Sequence, residues 1–315
     1  MEKIEKVSII GLGAMGSAYA SQMAKFLPRE NIRVIAGGTR GEKYKTEGIE
    51  INGSIYQFDV LDPAEKCQAA DLLMFAVKFN QLEDAIKQAR NHIGDDTIII
   101  SVLNGITSEE MIGETYGMEK LLYSVCFGID SVRTGNSVHF KNMGSIAFGE
   151  KENPPGHYSD KVKRLQDFFT RVQIDYSVPE DMLRTLWWKF LLNVGINQVS
   201  AVLRAPYGVF QHVEAARNIM IAAMQEVISI SAKAGIHLGE KDIEELLGVI
   251  SRLSPTGKTS MLQDIEAHRQ TEVNIFAGTV VELGKKYGVS TPINQMLFDI
   301  IRAEEEMFKY LDAND

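Results

Sequence analysis

A glycine-rich turn close to the start of the chain constrains the fold more than any other feature. It reads Gly11-Leu12-Gly13-Ala14-Met15-Gly16, and it joins the apolar run Val7 to Ile10 to a helical pattern that begins at Ala14. The first glycine permits a tight turn, the second lets a pyrophosphate approach the backbone, and the third lets the helix pack on the strand. Residues 11–16 are therefore predicted to bind the phosphates of a dinucleotide.

The first half of the chain alternates short apolar runs with helical patterns, as a parallel sheet with crossover helices requires. Strands are predicted at residues 32–36, 72–77, 97–103 and 174–178, helices at 14–26, 82–89 and 160–171, and a hairpin at 48–58 around Asn52-Gly53. Residues 121–149 are predicted to add antiparallel strands to the same sheet. The fold class is α/β, with an N-terminal Rossmann-type dinucleotide-binding domain.

The pattern changes at Val178-Pro179, where proline stops the strand and can start a helix. Helical patterns then follow one another, at residues 180–203, 213–235, 240–253, 260–287 and 292–311. We predict that residues 1–178 form the dinucleotide-binding domain and that residues 179–315 form an all-helical substrate and catalytic domain.

Composition excludes several classes of protein. A formal net charge of −9 and a pI near 5.3 argue against a nucleic-acid-binding surface, and no apolar run reaches the length of a membrane span. The two cysteines and six histidines have no metal-ligand spacing, so no metal is expected. So few cysteines fit a cytoplasmic protein.

Polar residues at predicted strand ends suggest which cofactor is bound. NAD-binding domains usually place an acid after the second strand, whereas this chain has Arg40, whose guanidinium can hold the 2′-phosphate of NADP. Lys78 and Asn104 follow two further strands and should border the cofactor, because ligands bind at the carboxyl ends of parallel strands. The alternative is that all three are ordinary loop residues.

A polar stripe interrupts the apolar helix predicted after Pro179. Lys189, Asn193 and Asn197 recur every fourth residue and therefore share one helix face. Burying such groups without partners would cost several kcal/mol, on the order of their desolvation penalty. Either the stripe faces a ligand, or the lysine pairs with a carboxylate and the amides bind neighbouring backbone.

A second helical stretch carries two more candidates. Ser260 with Gln263 fits a capping box, although a hydroxyl at a helix N-terminus can also bind a carboxylate. Glu272 lies three turns further along the predicted helix. It is either an ordinary exposed acid or a partner for the charge of Lys189.

Together these motifs resemble those of the ketopantoate reductase (2-dehydropantoate 2-reductase) family over essentially the whole chain. The matching parts are the glycine turn, Lys78, Asn104-Gly105, Lys189-x-x-x-Asn193-x-x-x-Asn197, and Ser260 to Asp264 leading to Thr271-Glu272. The resemblance implies an oxidoreductase that reduces 2-dehydropantoate to (R)-pantoate with NADPH, a step toward pantothenate and coenzyme A. Its substrate would be a small 2-oxo acid. The oligomeric state is open, with a homodimer as one alternative.

The resemblance also implies roles for the residues. Lys189 and Glu272 would be catalytic, with Lys189 the proton donor, and Asn104, Asn193, Asn197 and Ser260 would bind substrate. Cofactor contacts would come from residues 11–16, Arg40, Lys78, Asn104 and Glu272.

Three departures from the family pattern bear on the substrate: Gln198, Tyr207 and residues 127–131. Two alternatives therefore stay open. One is a reductase of another 2-oxo acid, and the other is a non-catalytic NADP-binding regulator.

Overall fold

The computed structural model describes residues 3–312. The chain divides into two compact units, Met1–Leu183 and Arg184–Asp315. The first contains all the strands of the described residues: β1 (Val7–Ile10), β2 (Ile32–Ile35), β3 (Ile49–Ile51), β4 (Ser54–Tyr56), β5 (Asp59–Leu61), β6 (Leu72–Phe75), β7 (Ile98–Ser101), β8 (Tyr123–Phe127), β9 (Val132–Thr134), β10 (Ser137–His139), β11 (Ser145–Gly149) and β12 (Tyr176–Ser177).

A five-stranded parallel sheet forms the centre of the first unit, in the order β5-β2-β1-β6-β7. Successive residues point to opposite faces of a strand, and both faces are covered here. Ile9 and Met74 belong to the core on one face, whereas Ile10 and Phe75 belong to the core on the other. This is why the strands read as continuous apolar runs rather than alternating ones.

Residues 121–149 do not extend this sheet, so that part of the prediction is wrong. Leu121 makes a single bridge to Ile99 of β7, after which β8 pairs with β11 in a separate sheet of order β12-β11-β8. The hairpin of β3 and β4 turns at Asn52-Gly53, as predicted, but it joins β10 and β9 in a third sheet. Strands 8 to 11 thus pair with one another, with the hairpin or with β12.

Five helices belong to the first unit: α1 (Ala14–Met23), α2 (Gly38–Thr46), α3 (Leu82–Ala89), α4 (Ser108–Tyr116) and α5 (Asp160–Arg171). The sequence pattern did not indicate α2 or α4. Helix α2 explains why, since it buries only Gly41 and Tyr44 and so has almost no apolar face.

The second unit is helical, which confirms the predicted fold class of a Rossmann-type α/β domain followed by helices. Helix α6 (Met182–Leu203) runs across the boundary between the units, and α7 (Tyr207–His212), α8 (Glu214–Lys233), α9 (Glu240–Ser251), α10 (Ser260–Glu266), α11 (Ala277–Tyr287) and α12 (Pro292–Asp312) follow it. No helix in the described part of the chain is both long and apolar enough to cross a bilayer.

The single helix predicted over residues 260–287 is wrong, because the chain leaves the helix after Glu266 and re-enters one at Ala277. The backbone N–H and the hydroxyl of Thr271 both donate to Glu305 Oε1, at 2.7 and 2.6 Å. These long-range bonds hold residue 271 outside the helical path, although the apolar pattern on either side continues.

Residues 179–182 are held by backbone and side-chain hydrogen bonds to residues 151–153. The Asn153 amide donates to Pro179 O at 2.8 Å, Asn153 N donates to Glu180 O, and Met182 N donates to Lys151 O. Residues 154–157, by contrast, are exposed. Segments that open readily are the ones that proteases cut first.

We therefore expect a broad-specificity protease to cut within residues 154–157 before it cuts within residues 179–182, as followed by mass spectrometry of the early fragments. Replacing Asn153 with Ala removes the side-chain bond to Pro179 and should bring forward cutting at 179–182. If the protease cuts the unmodified protein first within residues 179–182, the hydrogen bonds to residues 151–153 do not protect that segment.

Candidate functional site

The glycine turn is shaped by close backbone contacts with β6. Gly11 has φ of +101°, and a Cβ there would lie 2.6 Å from the carbonyl oxygen of Ala76. A Cβ on Gly16 would collide with the Gly11 carbonyl. These two glycines are explained by packing within the protein, and they bring the turn against the segment that precedes Lys78.

Gly13 has no such explanation, which makes it the informative glycine. Its φ of −72° suits any residue, and the nearest atom to an added Cβ is 3.7 Å away. The space is open on the side where α1 begins. The first turn of α1 holds no acid and no side chain caps it, so its N–H groups are available to an anion. The turn therefore fits the pyrophosphate of a dinucleotide.

The predicted cofactor residues of the first unit all follow neighbouring strands. The turn follows β1, Arg40 follows β2, Lys78 follows β6 and Asn104 follows β7, and these strands are adjacent in the sheet. The chain order reverses between β1 and β6, which is the switch point where ligands bind in open α/β sheets. Lys78 is exposed and Asn104 is half-buried.

Arg40 lies in the first turn of α2 and not in a loop. Among the described residues it has no ion pair or hydrogen bond from its side chain, and it is exposed. A cation in the first helical turn opposes the helix dipole, so helix stability does not favour this arginine. Binding of an anionic ligand would favour an arginine at this position.

An acid also lies at the tip of β2, which the sequence pattern did not indicate. Asp62 follows β5, the strand beside β2, and a side chain at Gly37 would come within 3.3 Å of Asp62 Oδ2. A carboxylate in this position suits ribose hydroxyls and repels a 2′-phosphate. The tip of β2 therefore carries features of both NAD and NADP sites.

A buried carboxyl group stabilises the segment that carries Asn104. Glu109 is 2% exposed; Ser108 Oγ donates to its Oε2 at 2.8 Å and Ser124 N donates to its Oε1 at 3.4 Å. Ser108 Oγ contacts Ser101 Oγ at 2.8 Å, and Ser101 Oγ accepts from Leu103 N. The network thus runs from Glu109 to the residue preceding Asn104.

In the second unit, α6 carries Lys189, Asn193 and Asn197 along one continuous helix. Lys189 is half-buried, while Asn193 and Asn197 are 5% and 8% exposed. The Asn193 Nδ2 atom is fully buried and has no hydrogen-bond partner in residues 3–312. Leaving a buried donor unpaired costs about 1–3 kcal/mol, a cost that a ligand acceptor would remove.

Gln198 has a structural role, unlike the asparagines before it. Its Nε2 donates to Val194 O and to Asn294 Oδ1, and Glu226 accepts from both nitrogens of Asn294. This network ties α6 to the first turn of α12. The departure from the family pattern at Gln198 therefore concerns packing.

Thr259, and not Ser260, caps α10, so the predicted capping box is wrong. Thr259 Oγ1 accepts from Leu262 N at 3.1 Å and contacts Ser200 Oγ at 3.1 Å. Ser200 is three residues after Asn197 on α6, so the start of α10 lies beside the turn of α6 that carries Asn197. Ser260 is the first residue of α10 and is exposed, with its hydroxyl free of the capping task.

Glu272 lies in the break between α10 and α11, next to a short 3-10 turn at Val273–Ile275. Its neighbour Thr271 is bound by the buried Glu305, and His268 stacks on Phe308 with ring centroids 4.2 Å apart. Two contacts with α12 therefore fix the loop that carries Glu272, which is itself half-buried.

Tyr207 begins α7 and packs against the loop before α10, where Gly257 has no room for a side chain. Burial raises the pKa of its hydroxyl, which keeps the group neutral. Tyr207 thus lies near the start of α10, on the side of Ser260. Among the residues that the structure describes, no three His, Cys, Asp or Glu side chains are placed to hold a metal ion.

Comparison with known proteins gives consistent matches along the chain. Residues 7–153 match the family model for ketopantoate reductase PanE/ApbA, and residues 181–305 match the model for its C-terminal part. The 2-dehydropantoate 2-reductase of Aquifex aeolicus is 28% identical, over 96% of this chain and 97% of the relative.

Two solved structures show a similar fold. One is D-mandelate dehydrogenase with NADH and anilino(oxo)acetate, with a TM-score of 0.84 and 23% identity over 96% of this chain and 99% of that one. The other is a dimeric ketopantoate reductase from Staphylococcus aureus, with a TM-score of 0.78 and 20% identity over 96% of this chain and 99% of that one.

The buried Glu109 generates a testable pH dependence. Burial raises its pKa from the ordinary 4.5 to about 7, so the folded state holds this proton over a pH range in which the unfolded state has lost it. The proton therefore stabilises the fold at low pH, and about 3 kcal/mol of stability is lost as the pH rises through this range. Glu109→Gln should remove that loss, measured as the difference in urea midpoint between about pH 4 and about pH 8, which lie below and above the two pKa values.

Glu114→Gln is the matched control, because Glu114 is an exposed acid on the same helix. It should keep the pH dependence of the unmodified protein. An equal pH dependence in Glu109→Gln and the unmodified protein would show that Glu109 does not titrate in this range.

Proposed function

Because the chain belongs to the ketopantoate reductase family, we propose that it catalyses the NADPH-dependent reduction of 2-dehydropantoate to (R)-pantoate, in the synthesis of pantothenate and coenzyme A. The family is one of oxidoreductases that use a nicotinamide dinucleotide. The observation that best supports the proposal is the buried, unpartnered Asn193 amide on the same helix face as Lys189 and Asn197. A ligand that accepts from this amide would remove the cost of leaving it unpaired.

We assign the cofactor to the first unit and the substrate to the second. Residues 11–16, Lys78 and Asn104 would hold NADPH, and Arg40 would bind its 2′-phosphate. Gly13 supports this, since its open Cβ position leaves room for the pyrophosphate. Residues 1–178 would then be the cofactor domain and residues 179–315 the substrate domain.

In the proposed mechanism, NADPH supplies a hydride to the C2 carbonyl of the 2-oxo acid when bound. Lys189 donates a hydrogen bond to the carbonyl oxygen and transfers a proton to it as negative charge develops there. Asn193 and Asn197 orient the substrate through their amides, and Ser260 binds it through its hydroxyl. Glu272 orients substrate and cofactor, and Glu305 stabilises its loop through Thr271.

The same proposal covers location and assembly. Neither Cys67 nor Cys126 forms a disulfide bond in the described part of the chain, which supports a cytoplasmic protein. The dimeric relative from Staphylococcus aureus supports a homodimer.

A second candidate is the reduction of a bulkier 2-oxo acid. Tyr207 supports it, since an aromatic side chain near the start of α10 offers an apolar surface to a substrate. So does the likeness to D-mandelate dehydrogenase. Asp62 would then favour NADH. The other alternative, a non-catalytic NADP-binding regulator, leaves the buried Asn193 amide unexplained.

An assay with both cofactors and several 2-oxo acids tests the proposal. Oxidation of NADPH should be fastest with 2-dehydropantoate, and kcat/KM should exceed that for 2-oxo-2-phenylacetate by about tenfold or more, as a site that hydrogen-bonds a substrate hydroxyl allows. NADPH should be preferred to NADH by about tenfold, which is about 1.4 kcal/mol. A preference for the phenyl compound would support the second candidate, and NADPH binding without turnover of any substrate would support the regulator.

The proton donor can be tested by Lys189→Ala. This variant should lower kcat by about 100-fold or more, because a positioned general acid contributes this much. NADPH affinity should be unchanged, since Lys189 is not among the proposed ligands of the cofactor. Lys241→Ala, which removes an exposed lysine of α9, is the control and should retain full activity. A lower melting temperature with near-normal turnover would instead make Lys189 a structural residue.

A further inference from the structure

Arg133 of β9 contacts the glycine turn, although more than a hundred residues separate them in sequence. Its Nη1 donates to the carbonyl oxygen of Leu12 and to the hydroxyl of Tyr44, the latter at 3.2 Å, and its Nε donates to Gly135 O at 2.9 Å. The guanidinium carbon lies 6.0 Å from the centroid of the Tyr44 ring. Arg133 therefore lies between the turn after β1 and the helix after β2.

This position brings Arg133 near the helix face that carries Arg40. Tyr44 is four residues after Arg40 on α2, so the two side chains occupy the same face one turn apart. Two guanidinium groups thus border the stretch from the glycine turn to the start of α2. In Rossmann-type domains, this is where the adenosine ribose lies.

The charge of Arg133 has no counter-ion among the described residues. Within residues 3–312 no carboxylate forms an ion pair with Arg133 or Arg40, although acids outnumber bases, 42 to 33, in the chain. The described acceptors of Arg133 are two carbonyls and a hydroxyl, and none of them uses Nη2. A half-buried guanidinium with a free donor edge and no counter-ion is suited to an anion.

We propose that Arg133 is a second cationic ligand, with Arg40, of the adenosine 2′-phosphate of NADPH. The inference rests on the proposed function, because it requires NADPH as the cofactor. It also explains how a 2′-phosphate binds at the tip of β2 beside the carboxylate of Asp62, which would repel a phosphate bound by Arg40 alone. Two guanidinium groups outweigh one carboxylate.

A purely structural role for Arg133 predicts a different result. If it only supports the Leu12 carbonyl, its loss should disturb the pyrophosphate turn and weaken NADPH and NADH equally. A 2′-phosphate ligand should matter for NADPH alone.

The test is calorimetric binding of NADPH, NADH, adenosine 2′,5′-bisphosphate and ADP to Arg133→Gln. The Kd for NADPH and for the bisphosphate should rise by about tenfold, which corresponds to the loss of one charge-assisted hydrogen bond. The Kd for NADH and for ADP should change by less than about twofold on the same scale. Arg133→Lys keeps the charge without the planar donor edge. Its Kd for NADPH should therefore lie between that of the unmodified protein and that of Arg133→Gln.

Arg29→Gln is the matched control, because Arg29 is an exposed arginine at the opposite end of β2, and its affinities should equal those of the unmodified protein. Equal weakening of NADPH and NADH by Arg133→Gln, or no weakening, would overturn the inference. If Arg133→Gln does not fold, the same comparison of the Kd values for NADPH and NADH is made with Arg133→Lys. An unmodified protein that binds NADH as tightly as NADPH would refute the cofactor part of the proposed function, and with it this inference. A retained preference for NADPH in both Arg133 variants would refute the inference alone.

Discussion

The rest of the first unit depends on the contact of the β1–α1 turn with β6. Gly11 lies against the carbonyl of Ala76, and Gly16 lies against the carbonyl of Gly11, at distances that leave no room for a Cβ. Because the backbones meet this closely, α1 starts at the carboxyl end of the parallel strands, where its first N–H groups are not capped by a side chain. The same contact brings the segment before Lys78 beside the turn. One packing constraint thus arranges several of the proposed cofactor residues.

Buried polar groups on α6 separate structural from ligand-facing residues. Gln198 and Asn193 are both amides on one apolar helix, yet the Gln198 Nε2 has two protein acceptors and the Asn193 Nδ2 has none. The Gln198 Oε1 atom is also buried without a partner in residues 3–312, so the contrast concerns the donors alone: a ligand that accepts from Asn193 Nδ2 would remove the cost of an unpaired donor, whereas Gln198 Nε2 already binds the protein. The sequence pattern places Asn193 in the polar stripe and Gln198 outside it, but it does not show which amide nitrogen has a protein acceptor.

The charged side chains near the tip of β2 favour two different groups of a dinucleotide. Arg40 and Arg133 favour a phosphate, whereas Asp62 favours ribose hydroxyls. The solved structure of D-mandelate dehydrogenase, which is similar in fold, contains NADH.

The sequence by itself determined the features that arise from neighbouring residues. The β1–α1 turn, the buried parallel strands, the Asn52-Gly53 hairpin and the polar stripe of α6 follow from local spacing, because strand and helix periodicities are local properties. Tertiary structure decided what depends on residues far apart in the chain. Thr271 leaves the helical path because Glu305 binds it, Thr259 caps α10 beside Ser200, and Asp62 and Arg133 reach the proposed cofactor site from other strands. Hydrogen bonds and charges between distant segments carry no periodic signal, so only the folded chain reveals them.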